Sequence, residues 1–166
     1  TSGVNIRYYS GFTSSDGIFL VTHKGAYLVT DFRYTIQANA QTKGLCEVVE
    51  APFTEQLDRI RAFLAADGCK RAAFEEGAMT VGDFGGYQAM PVQWVPYGET
   101  ISLPRLYKSQ AEIDSLQQAQ SLADKSFLEW LGRIGAGMSE KEATAELNYV
   151  CEKNGSEGIS FDPIIA

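Results

Sequence analysis

The chain is poor in several things that would each point to a function. It has a single histidine, His23, and 3 cysteines spaced widely and unevenly at Cys46, Cys69 and Cys151. One histidine cannot build a clustered His site, and an odd number of scattered cysteines argues against a disulfide framework and fits a reducing compartment. No basic cluster interrupts the sequence, and 21 Asp and Glu stand against 14 Lys and Arg. A surface that tracks phosphates is therefore not expected, and nucleic acid is not an expected partner. No stretch approaches the ~20 continuous apolar residues of a transmembrane helix, and "TSGVNIRYYSG" at the amino end has neither the charged nor the apolar region of a signal peptide. These features predict a soluble cytoplasmic protein with no membrane partner.

What is present suits a globular fold. With 166 residues, 45% hydrophobic and 21% charged, the chain can form one ordinary domain, or one domain and part of another. Up to about Leu103 the texture alternates between strand-like and helix-like segments. "IRYYS" (6–10), "GIFLVT" (17–22) and "AYLVTD" (26–31) read as strands, the last two closing a hairpin around "HKG". "FRYTIQANAQ" reads as a helix and "CEVVEA" as a strand. "TEQLDRIRAFLAADG" follows as an amphipathic helix with Leu57, Ile60, Arg61 and Leu64 on one face and Gly68 past its end, then "KRAAFE" as a strand. This order predicts an α/β domain with a mixed sheet flanked by helices.

"PVQWVPYGETISLPRLYKS" carries three prolines and reads as a connector, which puts a domain boundary near residues 103/104. Beyond it, Ser109-Gln110-Ala111-Glu112 and Ser139-Glu140-Lys141-Glu142 are capping boxes that open two helices. The first carries Ile113, Leu116, Ala123, Phe127, Trp130 and Ile134 as an apolar stripe and is expected to end at Gly135 and Gly137; the second ends at Asn154-Gly155. "GISFDPIIA" (158–166) reads as a core strand. Two helices and a strand do not close a core, so this part reads as the beginning of a larger domain. With no Met at Thr1, both ends read as those of a fragment.

Several tempting groups have plain readings. His23 sits in a polar hairpin tip with no local metal or catalytic partners. The pairs Glu75-Glu76, Glu140 with Glu142, and Glu152 with Glu157 read as helix faces and caps rather than acid/base pairs. Gly82, Gly85 and Gly86 lack the Lys-Ser/Thr ending of a phosphate loop.

Taken in order, "NIRYYSGFTSSDGIFLVTHKGAYLVTDFRYTIQA", "KSQAEIDSLQQAQSLADKSF" and "GMSEKEATAELNYVCEKNGSEGISFDPIIA" resemble the creatinase, prolidase and Xaa-Pro aminopeptidase family, peptidase family M24. Asn5, Tyr8, Gly11, Phe12, Asp31, Arg33, Tyr34, Lys108, Glu112, Gly137, Glu142, Phe161 and Asp162 fall at matching places. The resemblance implies a ribonuclease-H-like creatinase amino-terminal domain over 1–103, its first helix and strand missing. Over 104–166 it implies the start of a pita-bread metallopeptidase domain, two helices and a strand, cut before the metal ligands. It further implies hydrolysis of Xaa-Pro bonds in proline-containing peptides by the parent, with two divalent ions, Mn²⁺ or Co²⁺, and a homodimer. Such a metal pair activates a bridging water and polarises the carbonyl of the tertiary amide. This chain alone is expected to hold no metal and to be inactive. Creatine hydrolysis, or a non-catalytic binding or dimerisation module, are the alternatives on the same scaffold.

Within "GFTSSDG", the resemblance implies that Thr13, Ser14, Ser15 and Asp16 approach the substrate pocket of a partner subunit, while the plain reading is a turn. Arg33 is expected to pair a carboxylate and Tyr34 to pack under the following helix. Apolar residues of the first long helix and of the terminal strand are expected to be covered by a second copy of the chain, or to fold back on the amino-terminal domain or stay mobile.

Overall fold

A computed structural model describes residues 2–14 and 16–165. The chain divides into two compact units, Thr1–Tyr107 and Lys108–Ala166. In the first, α1 (Gly3–Ser10) leads into a hairpin of β1 (Ile18–Val21) and β2 (Ala26–Thr30). A crossover helix, α2 (Thr35–Thr42), then returns the chain to β3 (Glu47–Glu50). β1 is antiparallel to β2, and β3 pairs parallel to β2 on its other side. Helix α3 (Gln56–Ala66), β4 (Arg71–Phe74), α4 (Val81–Gln88) and β5 (Gln93–Pro96) follow, with β4 and β5 parallel in a separate two-stranded sheet. A short α5 (Gly98–Ser102) and a 3₁₀ turn close the unit.

β2 is covered on both faces, which is why its sequence is apolar without alternation. Val29 packs with Ala51, Ile60, Leu64, Tyr87 and Met90 on the side of α3 and α4. Its neighbour Leu28 packs with Ile6, Phe12 and Ala38 on the side of α1 and α2.

Three segments depart from the sequence-based expectation. Residues 6–10 are helical rather than extended. Ile6 and Ser10, one turn apart, are both buried, Ser10 Oγ donates to the Ile6 carbonyl at 2.7 Å, and Gly11 ends the helix in the left-handed region at φ 79°. Burial of one helical face outweighs the modest strand preference of Tyr and Ile. The proline-rich stretch from Pro91 is no plain connector either: Gln93–Pro96 pairs along its length with Arg71–Phe74, its prolines standing at the strand's edge of entry and its last position. Finally, no strand forms in 158–165, where Phe161 and Ile164 are exposed. Strand backbone needs a partner for its N–H and C=O groups, and the described part of this unit offers only helices.

The second unit pairs α6 (Gln110–Leu131) with α7 (Glu140–Lys153), and both begin with reciprocal capping boxes at Ser109/Glu112 and Ser139/Glu142. Trp130 does not lie in an outward stripe as expected. It is buried under α7, and its indole N–H donates to the Ala143 carbonyl at 2.8 Å. Ile113, Leu116 and Phe127 are exposed on α6, together with Leu128 and Leu131. The helix stops at Gly132, short of the expected glycines.

Candidate functional site

The segment singled out in the sequence, "GFTSSDG", leaves α1 through Gly11 and enters β1. Phe12 anchors it: its ring is fully buried and meets Tyr34 edge-on with 6.3 Å between centroids. After this anchor the chain turns polar, with Thr13 and Asp16 exposed and Ser14 half-buried, and two sets of side chains from α2 and from the end of β2 hold it.

Thr13 is held by a pair of glutamines. Its backbone N–H donates to Gln41 Oε1 at 3.0 Å, and its hydroxyl accepts from Gln37 Nε2 and Gln41 Nε2, both at 3.0 Å. Gln37 and Gln41 are one turn apart on α2, so both reach the same threonine. Ser14 folds the loop locally, its hydroxyl accepting the Asp16 N–H at 3.1 Å. Ser15 lies outside the described residues.

Asp16 ends the segment. Its backbone carbonyl accepts from the buried Thr30 hydroxyl at 2.7 Å, and its carboxylate Oδ2 accepts from the Tyr34 hydroxyl at 2.7 Å. The Tyr34 hydroxyl is made harder to ionise, first by this hydrogen bond and then by burial. Arg33 NH2 stands 3.9 Å from the same oxygen and is bound more tightly to Asp31, at 2.6 Å from NH2 and 3.0 Å from Nε. The side-chain hydrogen bonds of Arg33 keep the Asp31 carboxyl below its ordinary range. The guanidinium also lies over the Tyr34 ring, 5.1 Å from its centroid. Arg33 thus pairs a carboxylate, as expected, and Tyr34 packs beside Phe12 below α2.

The structure therefore holds Thr13 through Gln37 and Gln41 and orients Asp16 through Tyr34 and Arg33, with the half-buried Ser14 bonded to the Asp16 N–H. Such a group can accept hydrogen bonds from an amine or a peptide N–H. Among the described residues, none beside it would make it a general acid or a nucleophile. Gln37 and Gln41 escaped the sequence reading, although their four-residue spacing on a helix was visible.

A second polar cluster was not foreseen. The Asn5 side chain donates to Glu75 and to Ser102 Oγ, and its carbonyl oxygen accepts from Arg105 NH1 at 3.1 Å. Glu75 was expected on a helix face or cap beside Glu76. It lies instead just past β4 and is buried, while Glu76 accepts the Gly98 N–H at 2.9 Å. Burial alone would raise the Glu75 carboxyl; the hydrogen bonds it accepts, among them those from the Ser2 N–H and Asn5, more than offset this and lower it. This cluster ties α1 to the end of the unit and is structural in its geometry.

His23 lies on the exposed hairpin turn, as expected, with its backbone N–H donating to Asp67 Oδ2 at 2.9 Å. Gly82, Gly85 and Gly86 belong to α4, which is capped by Thr80 and Asp83. Among the described residues, no three His, Cys, Asp or Glu side chains converge to hold a metal ion.

Residues 1–107 match the model of the creatinase/prolidase N-terminal domain. The chain belongs to that family. Residues 114–166 of this creatinase/prolidase chain match metallopeptidase family M24. A protein of Bacillus subtilis (strain 168) named "uncharacterized peptidase YqhT" is 36% identical over 171 residues, taking in 100% of this chain and 47% of that protein. Among solved structures, an X-Pro aminopeptidase from Thermotoga maritima MSB8 is 31% identical with a TM-score of 0.87, over 97% of this chain and 46% of its own. An Xaa-Pro dipeptidase from Bacillus anthracis is 31% identical with a TM-score of 0.90, over 98% of this chain and 45% of its own. The chain spans a little under half the length of each. No described helix is long and apolar enough to cross a membrane.

Proposed function

We propose that residues 1–166 are the amino-terminal part of a cytoplasmic, proline-specific metallopeptidase, an Xaa-Pro aminopeptidase or dipeptidase that works as a homodimer on proline-containing peptides. The first unit is its amino-terminal domain and the second opens its pita-bread catalytic domain. The observation that carries this reading is the end-to-end match, over 97% and 98% of the chain, to two structures that are named Xaa-Pro peptidases. The side chains described here do not fit a metal pair, since His23 is isolated on a turn and no acidic group converges with two others. The two ions, Mn²⁺ or Co²⁺, are assigned to polypeptide outside residues 1–166.

Thr13, Ser14, Ser15 and Asp16 are assigned to the edge of the partner subunit's substrate pocket. What supports this is the exposed Asp16 carboxylate, fixed through Oδ2 by the Tyr34 hydroxyl and, as a carboxylate, able to accept a substrate N–H. The test is to express the polypeptide with its downstream sequence and assay Xaa-Pro dipeptides and longer peptides with Mn²⁺ or Co²⁺. Turnover is expected from the longer polypeptide as a dimer by light scattering, and none from residues 1–166. A folded, metal-loaded longer polypeptide without Xaa-Pro turnover overturns the peptidase reading. Turnover that follows residues 1–166 through successive columns overturns the placement of the metals.

A further inference from the structure

Helix α7 ends at Lys153, and Asn154 both caps it and ties it to α6. In the cap, the Asn154 N–H donates to the Val150 carbonyl, Gly155 N–H to Glu152 and Ser156 N–H to Cys151, all at 3.0 Å, with Gly155 left-handed at φ 100°. In the tie, Asn154 Nδ2 donates to Ser126 Oγ at 3.2 Å and to Glu129 Oε2 at 3.1 Å. Ser126 is fully buried, and Glu129 also accepts from Lys153 and Arg133, so the amide of Asn154 belongs to the contact between the helices.

The same amide is the most reactive of its kind in the chain. Of 4 asparagines only Asn154 precedes a glycine; Ile6, Ala40 and Tyr149 follow the others. The backbone nitrogen after an asparagine can attack the side-chain carbonyl carbon, and a Cβ beside that nitrogen hinders the approach. Gly155 has none. Its nitrogen bonds to Asn154 Cγ and gives up its proton, the Cγ–Nδ2 bond breaks, and ammonia leaves. Water then opens the five-membered imide at one of its two carbonyls, which leaves aspartate or isoaspartate. The balance is one amide and one water to one carboxylate and one ammonium, with nothing oxidised or reduced.

Folding holds each reacting group back. The Gly155 N–H is engaged by Glu152, Nδ2 by Ser126 and Glu129, and Asn154 is helical at φ −78° and ψ −3°, so its backbone must turn before the ring can close. We propose that Asn154-Gly155 is a self-modification site that records opening of the α6–α7 contact: the amide is lost to water when α7 lets go of α6, and the product keeps the two apart. A carboxylate at 154 replaces a donor to Glu129 with a second negative charge, and one of the bonds that hold the Glu129 carboxyl down disappears. Isoaspartate also lengthens the main chain by one carbon and disrupts the cap around Gly155.

Peptide mapping of the longer polypeptide, aged in mildly alkaline buffer, tests this. In urea, position 154 is expected to convert at least about tenfold faster than in the folded protein, the rate rising with urea as the helices open. Asn39, exposed and followed by Ala40, serves as the comparison and should convert far more slowly in urea. Equal rates for Asn154 folded and unfolded overturn the gating, and a rate in urea no higher than that of Asn39 overturns the site. Ser126→Ala, which removes one partner of Nδ2, should speed conversion severalfold in the folded protein and leave the rate in urea unchanged; a folded variant with the parent's rate overturns the tie. Asn154→Asp reproduces the aspartate product. It should melt several degrees below Asn154→Ala, which lacks the amide but adds no charge, and equal melting of the two overturns the claim that the product holds the helices apart.

Discussion

The side-chain amide of Asn5 donates to the carboxylate of Glu75, a residue 70 positions further along the chain, and so fixes α1 to the end of β4. Both residues are buried, with 4% and 9% of their surfaces exposed, so neither can turn to water if its partner is lost. Asn5→Ala removes a donor from Glu75 and an acceptor from Arg105 at once. A loss of about 1–3 kcal/mol in stability is expected, read from the urea midpoint. Glu75→Gln, which keeps an acceptor in place, should cost less. An Asn5→Ala midpoint equal to that of the parent would contradict the role given to this cluster.

In the second unit the indole of Trp130 fills the space under α7 and gives its N–H to the Ala143 carbonyl. Trp130→Phe retains most of the buried area and loses only the indole bond to a carbonyl that still accepts within α7, at an expected cost of about 0.5–1.5 kcal/mol. Trp130→Ala also opens a cavity and should cost more, about 3–5 kcal/mol. Loss of helical circular dichroism from 110–153 on heating ranks the two, and equal melting of both variants and the parent would remove Trp130 from the packing between the helices.

Glu129 accepts from Lys153, Asn154 and Arg133, and these bonds hold its carboxyl down from 4.5 to about 2. A carboxyl depressed in the folded state adds stability that is present above its unfolded value and is lost as pH falls through its folded value. The α6–α7 pair should therefore weaken on acidification from pH 4.5 to about 2, followed by the Trp130 indole proton in NMR. Glu129→Gln should flatten that part of the profile. Because these groups are partly exposed, high salt should reduce the effect in the parent.

The proposal for the 13–16 loop predicts a separation of activity from folding. In the longer polypeptide, Asp16→Asn should leave the melting temperature nearly unchanged, since the amide oxygen still accepts from Tyr34. It should lower kcat/KM for Xaa-Pro substrates by about tenfold, the size of one charged hydrogen bond. Unchanged kcat/KM would leave the loop a turn and nothing more.

How much of this could be read from the residues depended on the range of the interaction. Ser109/Glu112 and Ser139/Glu142 declare their helices within four residues, and both caps form. The hairpin around His23 and the amphipathic face of Ile60 and Leu64 are equally local. Ile6–Ser10 misled because strand propensity is weak, and what decided the helix was its burial against Phe12 and Ala38, invisible at that range. The prolines at 91 and 96 hid β5, since a strand that pairs on one side tolerates them at its margins. For the site, the loop itself was legible, but Gln37 and Gln41 become its clamp only after α2 turns back over it. The Asn5, Glu75 and Arg105 cluster has no spacing to notice.

That same cluster has a consequence for how the chain is made. Arg105 reaches Asn5 across 100 residues, and the Tyr9 hydroxyl reaches the Ile101 carbonyl across 92. On a ribosome adding roughly 5–20 residues per second, α1 would wait on the order of 5–20 s for the partners that anchor it. Helices α6 and α7, neighbours in sequence, pair as soon as both have emerged. The amino-terminal unit is thus the first to be synthesised yet is sealed only by its own last residues, and during that interval its apolar helix face is open to chaperones and to neighbouring nascent chains.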